Sequence, residues 1–98
     1  MTEPTIGHEP GWVGGFTRHQ AKGAIANGTE VVKTRSEAGD ANKDGTRGKV
    51  LGSISHPDVQ DGAIMYFVEW RTAPRVAVGV MDFKVQALQT TWASGAPL

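Results

Sequence analysis

The sequence contains no cysteine, no excess of either charge and no long apolar run. Without cysteine, the 98-residue chain has no disulfide framework, no thiol nucleophile and no cysteine-ligated zinc or iron–sulfur site. Its ten basic and ten acidic side chains cancel, so we expect no general attraction to nucleic acid or to an anionic membrane. Apolar runs such as Ile64 to Val68 fall far short of the roughly 20 residues that span a bilayer. Since Met1 to Thr5 also lacks the basic flank of a secretory signal, we expect a cytoplasmic protein without membrane association.

Long helices are not expected either, because residues that interrupt them are abundant. The chain has 13 glycines and five prolines, a composition that favours turns and irregular segments. Its length allows one small domain, and a hydrophobic fraction of 39% supplies a modest core.

Both ends of the sequence are typical of irregular chain. The first fifteen positions hold two prolines and four glycines without periodicity, and residues 17–26 predict at most one or two helical turns. We therefore interpret residues 1–27 as an irregular N-terminal extension and residues 89–98 as a C-terminal tail. Each carries one tryptophan, Trp12 or Trp92, and tryptophan is costly to leave in water.

Between these ends the sequence predicts five short strands. A long polar loop, Arg35 to Thr46, separates the first two strands, and Asp82 to Lys84 forms a single helical turn before the last. No window after residue 28 has the 3.6-residue periodicity of a helix bundle. The sequence therefore predicts an all-β fold, a small five-stranded barrel over residues 28–88. The predicted strands are Thr29 to Thr34, Lys49 to Ser55, Ala63 to Trp70, Val76 to Met81 and Val85 to Leu88.

The third and fourth predicted strands are apolar on both faces. Tyr66 and Val68 point to one side of the sheet and Phe67 to the other, and residues 76–81 are also apolar on both sides. A half-solvated antiparallel sheet alternates apolar with polar side chains instead. The second face therefore needs a cover, which is one of the tryptophan-bearing tails, residues 12–26 or another subunit. We expect a homo-oligomer or a monomer clasped by its tails, and favour the homo-oligomer because a barrel of this size gains from such cover.

The order of these segments resembles Src-homology-3-like (SH3-like) small barrels. Those barrels have five strands, a long first loop and one helical turn before the last strand, and the resemblance covers residues 28–88. The segment Gly45 to Val50 looks like the glycine-containing KOW pattern, and the topology is similar to KOW- and Tudor-type barrels. A similar order occurs in the plasmid-borne, trimethoprim-insensitive dihydrofolate reductases and in the β chain of nitrile hydratases.

The reductase resemblance implies a role for one residue of this chain. In that family a lysine on the first strand binds the anionic cofactor, and Lys33 occupies the matching place. The family's Val-Gln-Ile-Tyr run on the fourth strand corresponds to Val76 to Val80, which contains neither the glutamine nor the tyrosine. The nitrile hydratase resemblance carries no catalytic residue over. We therefore expect no catalytic residue and no cofactor.

Two patterns bear on metal binding. Asp40 to Gly45 matches the opening of a calcium loop, but the twelfth position is Leu51, where a bidentate glutamate belongs. We interpret the segment as a polar loop whose side chains support turns. The three histidines, His8, His19 and His56, have no metal-ligand spacing, and we expect no metal site.

The function that we expect from the sequence is binding or self-association without catalysis. Candidate contact residues lie on the aromatic strand and beside the polar loop, and they are Lys33, Arg35, Tyr66, Phe67 and Trp70. The expected partner is a second copy or another protein. One alternative is a pore-type oligomeric enzyme resembling the plasmid reductases. The other is a KOW-like nucleic-acid-binding module, since seven of the ten basic residues fall between Arg18 and Lys49, although the loop charges alternate in sign.

Overall fold

The computed structural model of the chain describes residues 6–55 and 63–88. It contains five strands, and a 3₁₀ turn, Asp82–Lys84, precedes the last of them. The predicted turn region with His56 and the predicted tail with Trp92 lie outside the described residues. The strands are β1 (Glu30–Lys33), β2 (Arg47–Ser55), β3 (Ile64–Trp70), β4 (Ala77–Met81) and β5 (Val85–Ala87).

The strands form one antiparallel sheet in the order β4-β3-β2-β1-β5. The register of β2 against β3 shifts between Val50 and Gly52, which is where the glycine predicts a bulge or bend. The prediction of an all-β fold is confirmed. The sheet is not closed into a barrel, because β4 and β5 remain its two edges.

Helices are absent from residues 6–55 and 63–88, apart from the 3₁₀ turn. The helical turns expected over residues 17–26 are replaced by one hydrogen-bonded turn, in which Ala24 N donates to Ala21 O over 3.1 Å. Gly23 adopts a left-handed conformation there, with φ of 81°, and thereby ends any helical path. Among the described residues, no helix is long and apolar enough to cross a membrane.

One face of the sheet forms the main hydrophobic core. The buried members of this cluster come from four of the five strands, and Val31 and Val68 are fully excluded from solvent. Full burial of each such side chain stabilises the fold by about 1.5–3 kcal/mol. The buried cluster comprises Val31, Val50, Tyr66, Val68, Trp70 and Val85.

The N-terminal extension covers the second face of the sheet. Phe16 is buried against Leu51 and Phe67, and Trp12 packs on the same cluster. The Trp12 and Phe16 ring centroids are 5.1 Å apart. Of the covers that the sequence allowed for the second face, residues 12–26 are thus one that the structure shows, whereas a second subunit stays a prediction.

Main-chain hydrogen bonds hold this extension on the sheet. Val13 lies beside the start of β4, where its N donates to Arg75 O over 2.8 Å and its O accepts from Ala77 N over 2.9 Å. Further along, Ser53 N donates to His19 O over 2.7 Å. The extension is therefore part of the packed fold.

Candidate functional site

The three aromatic residues predicted as a contact surface lie inside the protein. Tyr66 and Phe67 are each 4% exposed, and Trp70 is 1% exposed. Phe67 lies under Phe16, and the Tyr66 hydroxyl accepts a hydrogen bond of 2.9 Å from Ile25 N. These side chains stabilise the two clusters and the extension, and they do not form an exposed surface.

Lys33 is also buried, at 3% exposure, although it is charged. Its Nζ donates to Ser36 Oγ over 2.8 Å, to Asp40 Oδ2 over 3.0 Å and to Thr34 O over 3.4 Å. The ammonium group that the reductase resemblance assigned to an anionic cofactor therefore has oxygen partners within the chain. Arg35, by contrast, is exposed at the start of the loop, in a left-handed conformation with φ of 51°.

Asp40 joins the long loop to the end of the sheet. One of its oxygens accepts from Lys33, and both accept from Lys84 Nζ, over 2.9 and 3.0 Å. It also accepts a 2.9 Å bond from Glu37 N. This main-chain bond, followed by the bonds from the two lysines, holds the pKa of the Asp40 carboxyl well below its usual range. The hydrogen bond to Asp40 in turn raises the pKa of Lys84.

Asp44 closes the same loop through the main chain. Its Oδ1 accepts a 2.8 Å bond from Ser36 N, and this bond lowers the pKa of the Asp44 carboxyl. Asp40 and Asp44, the acidic residues of the calcium-like pattern, thus have donors inside the chain. Within the described ranges, no cluster of three or more histidine or acidic side chains is arranged to hold a metal ion.

A groove of about 240 Å³ lies between this loop and the edge of β4. We call it the loop groove. One wall consists of residues 78–81 of β4, another of residues 40–42 of the loop, and Phe83 and Lys84 of the 3₁₀ turn lie at its end. Phe83 is 49% exposed, while the two valines of this wall are only half-buried because the sheet is open here.

Asn42 is the polar residue that the loop contributes to this groove. It is 8% exposed, its Oδ1 accepts a 2.6 Å bond from Thr72 Oγ1, and its main-chain O accepts a 3.0 Å bond from Ser36 Oγ. None of the hydrogen bonds found among the described residues uses its Nδ2. Asn42 thus adds an amide group, which has N–H donors, to the lining of the loop groove.

A larger and shallower cleft, of about 700 Å³, lies at the other end of the sheet. Its charged residues alternate in sign across three strands, since Glu30 pairs in register with Lys49 and Lys49 with Glu69. Arg71 forms an ion pair with Glu30, and Glu69 accepts a 2.9 Å bond from Arg75 N. Both carboxylates of this cleft, Glu30 and Glu69, already have partners within the chain, and we take the smaller loop groove as the candidate site.

The candidate residues predicted from the sequence overlap only in part with the lining of the loop groove. Lys33 lines this groove, whereas Tyr66, Phe67 and Trp70 are buried in the two core clusters. Arg35 to Thr46 was predicted beside the contact surface, and the loop groove does use this loop. Asn42 was not singled out as a contact residue, because its burial depends on Thr72, which is 30 residues away. From the sequence, Phe83 and Lys84 were recognised only as part of a single helical turn before the last strand. Nothing in the sequence marked them as contact residues.

Comparisons with protein-family models, with curated proteins and with solved structures found no match to this chain.

Proposed function

We propose that this chain is a non-enzymatic, SH3-like binding module that holds an extended polypeptide segment in the loop groove. This function is the one expected from the sequence, but its contact surface is the open edge of the sheet and not the buried aromatic strand. The strand order, the long loop between β1 and β2 and the 3₁₀ turn before β5 agree with the SH3-like resemblance.

The outer edge of β4 is the observation that carries this proposal. Ala77 N donates outward to Val13 O, so the residues of the same parity, Gly79 and Met81, also direct their main-chain groups away from β3. Among the described residues, only the start of β4 has a main-chain partner on its outer edge, and this partner is Val13. A strand edge with unpaired N–H and C=O groups takes up an extended peptide by adding it as a further strand.

The side chains around this edge suit an extended apolar segment. Val78, Val80 and Met81 are only half-buried, and half of the Phe83 side chain is exposed. Covering them removes apolar surface from water, at about 25 cal/mol per Å². The Asn42 amide provides a donor for a main-chain carbonyl on the opposite wall.

The polar network of the loop lowers the cost of binding. Lys33 and Lys84 share Asp40, and Asp44 holds the backbone of Ser36, so the loop is ordered before any ligand arrives. A loop that is already ordered loses less conformational entropy when it binds a partner. The network therefore favours binding, although its charged groups bond to one another and not to the ligand.

Peptide selection with the full chain tests this proposal. A displayed library of random peptides of about 12 residues, long enough to span β4, is panned against the immobilised protein. Synthetic copies of enriched peptides are then titrated into ¹⁵N-labelled protein. We expect chemical-shift changes at the amides of Gly79 and Met81. Shifts confined to the cleft around Lys49, or no enriched peptide, would refute the proposal.

The Asn42→Asp variant tests the polar contact in this groove. An aspartate keeps an oxygen that accepts from Thr72 but has no N–H to donate. Loss of one hydrogen bond to a ligand carbonyl lowers affinity by about tenfold, corresponding to roughly 1.4 kcal/mol. Lys49→Ala, outside the loop groove, is the matched control and leaves affinity unchanged. If Asn42→Asp binds the selected peptide as tightly as Lys49→Ala does, Asn42 does not donate to the ligand.

A further inference from the structure

We infer that Asn27 is a site of spontaneous deamidation, and that the N-terminal extension suppresses this reaction as long as it stays on the sheet. Asn27 lies outside the loop groove, so this modification site is separate from the function proposed above. It is the last residue of the extension and shares a turn with Gly28. Asparagine is a thermolabile residue, and a following glycine favours its deamidation because no Cβ obstructs the attacking nitrogen.

The reaction joins a main-chain nitrogen to a side-chain amide. Gly28 N loses its proton and forms a bond to Cγ of Asn27, while the bond from Cγ to Nδ2 breaks. Nδ2 takes up a proton through solvent and leaves as ammonia. Water then opens the resulting succinimide ring at one of its two carbonyls, which yields aspartate or isoaspartate at position 27.

Both reacting groups are engaged in hydrogen bonds in the folded chain. Gly28 N donates to Val50 O over 2.8 Å, and Asn27 Nδ2 donates to Arg18 O over 2.7 Å. A third bond, of 3.0 Å, runs from Asn27 N to Gln20 Oε1. The attack requires Gly28 N to lose the proton that it donates to Val50 O, and the departing nitrogen to leave Arg18 O. The folded chain therefore opposes the reaction.

This protection depends on the position of the extension. Both partners of Asn27 belong to residues 17–21, the segment that lies against β2. Ser53 holds this segment, since its N donates to His19 O over 2.7 Å and its Oγ accepts from Ala21 N over 3.0 Å. If the segment leaves β2, Asn27 is separated from both partners, and only the bond of the following residue to β2 remains.

The product cannot restore the contacts of the asparagine. A carboxylate has no N–H to donate to Arg18 O. Oδ1 of Asn27 is already buried without a hydrogen-bond partner among the described residues, so a negative charge at this position is poorly compensated. Isoaspartate also lengthens the main chain by one carbon and thereby shifts Gly28 N relative to Val50 O. Deamidation therefore weakens the hold of the extension on the sheet and leaves a covalent record of its release.

Tryptic peptide mapping of the full chain, incubated at mildly alkaline pH, tests the inference. Trypsin cleaves after Lys22 and Lys33, and the fragment between them contains Asn27 as its only asparagine. A synthetic peptide of residues 23–33 gives the rate of the unprotected reaction in the same buffer. We expect Asn27 to react at least about tenfold more slowly in the full chain than in the peptide. Equal rates would overturn the inference.

Two variants of the full chain show whether the extension causes the protection. Gly52→Ala places a Cβ against Thr17 O, whereas Gly7→Ala, in the same extension, meets no atom within 4 Å. We expect Asn27 to react at least about threefold faster in Gly52→Ala than in the wild type, and at the wild-type rate in Gly7→Ala. If Gly52→Ala does not fold, Gln20→Ala removes the acceptor of Asn27 N and should also accelerate the reaction. An unchanged rate in the folded variant would assign the protection to the turn alone and contradict the inference.

Discussion

Replacing Gly52 by alanine tests whether the N-terminal extension is a structural part of the sheet. A Cβ at this position overlaps Thr17 O and lies 2.8 Å from Thr17 C and 3.1 Å from Arg18 Cα. All three atoms belong to the main chain of the extension, so no side-chain rotation relieves the overlap. Either the sheet distorts at the β2 bulge or the extension moves away.

Both outcomes are costly. Forcing an extra carbon into a packed site costs about 1–3 kcal/mol. Moving the extension exposes Phe16 and uncovers Leu51 and Phe67, each of whose burial is worth about 1.5–3 kcal/mol. It also breaks the hydrogen bond from Ser53 N to His19 O. We therefore expect Gly52→Ala to lower the free energy of unfolding by about 3 kcal/mol and Tm by about 12–24 °C.

Urea denaturation followed by circular dichroism and by tryptophan fluorescence measures this effect. Gly7→Ala is the matched control, because Gly7 belongs to the same extension and a Cβ there has no atom within 4 Å. The control should unfold at the wild-type midpoint, with a difference of less than about 0.5 kcal/mol. If Gly52→Ala also unfolds at the wild-type midpoint, the extension does not cross the sheet at Gly52 and the assigned cover is wrong.

Two further substitutions test the contacts that hold the extension and the loop. Tyr66→Phe removes the hydroxyl that accepts from Ile25 N and should cost about 1 kcal/mol in urea denaturation, whereas an unchanged midpoint would show that this bond is not formed. Asp40→Asn leaves the buried Lys33 without its carboxylate and should destabilise the fold at neutral pH. Since the folded protein holds the pKa of Asp40 below its ordinary value of about 4, this stabilisation is present above that pH and is lost as pH falls further. The variant should therefore lose less stability than the wild type between neutral and acidic pH, and equal losses would exclude Asp40 as the cause.

The strands were predictable because each depends on short-range properties of the chain. β-Branched and aromatic residues mark β3, and the turn residues around it mark its ends. The candidate site was less predictable. Trp70 and Phe67 are equally suited to an exposed stacking surface and to a core. Only the packing of Phe16 and of the neighbouring strands against them decides between the two. The burial of Lys33 was equally hard to predict. A charged side chain in a strand is expected to be exposed, and Lys33 is buried because it bonds to Asp40.

The sequence by itself determined the all-β class, the five strands and the need for a cover on the second face, because strand propensity and alternation act between neighbouring residues. Only the tertiary structure decided which segment covers that face and which edge stays open. Those outcomes depend on contacts between distant residues, such as the bond between Lys84 and Asp40 across 44 positions. Such contacts follow from the path of the chain, which places the extension over Gly52 and leaves the second half of β4 uncovered among the described residues.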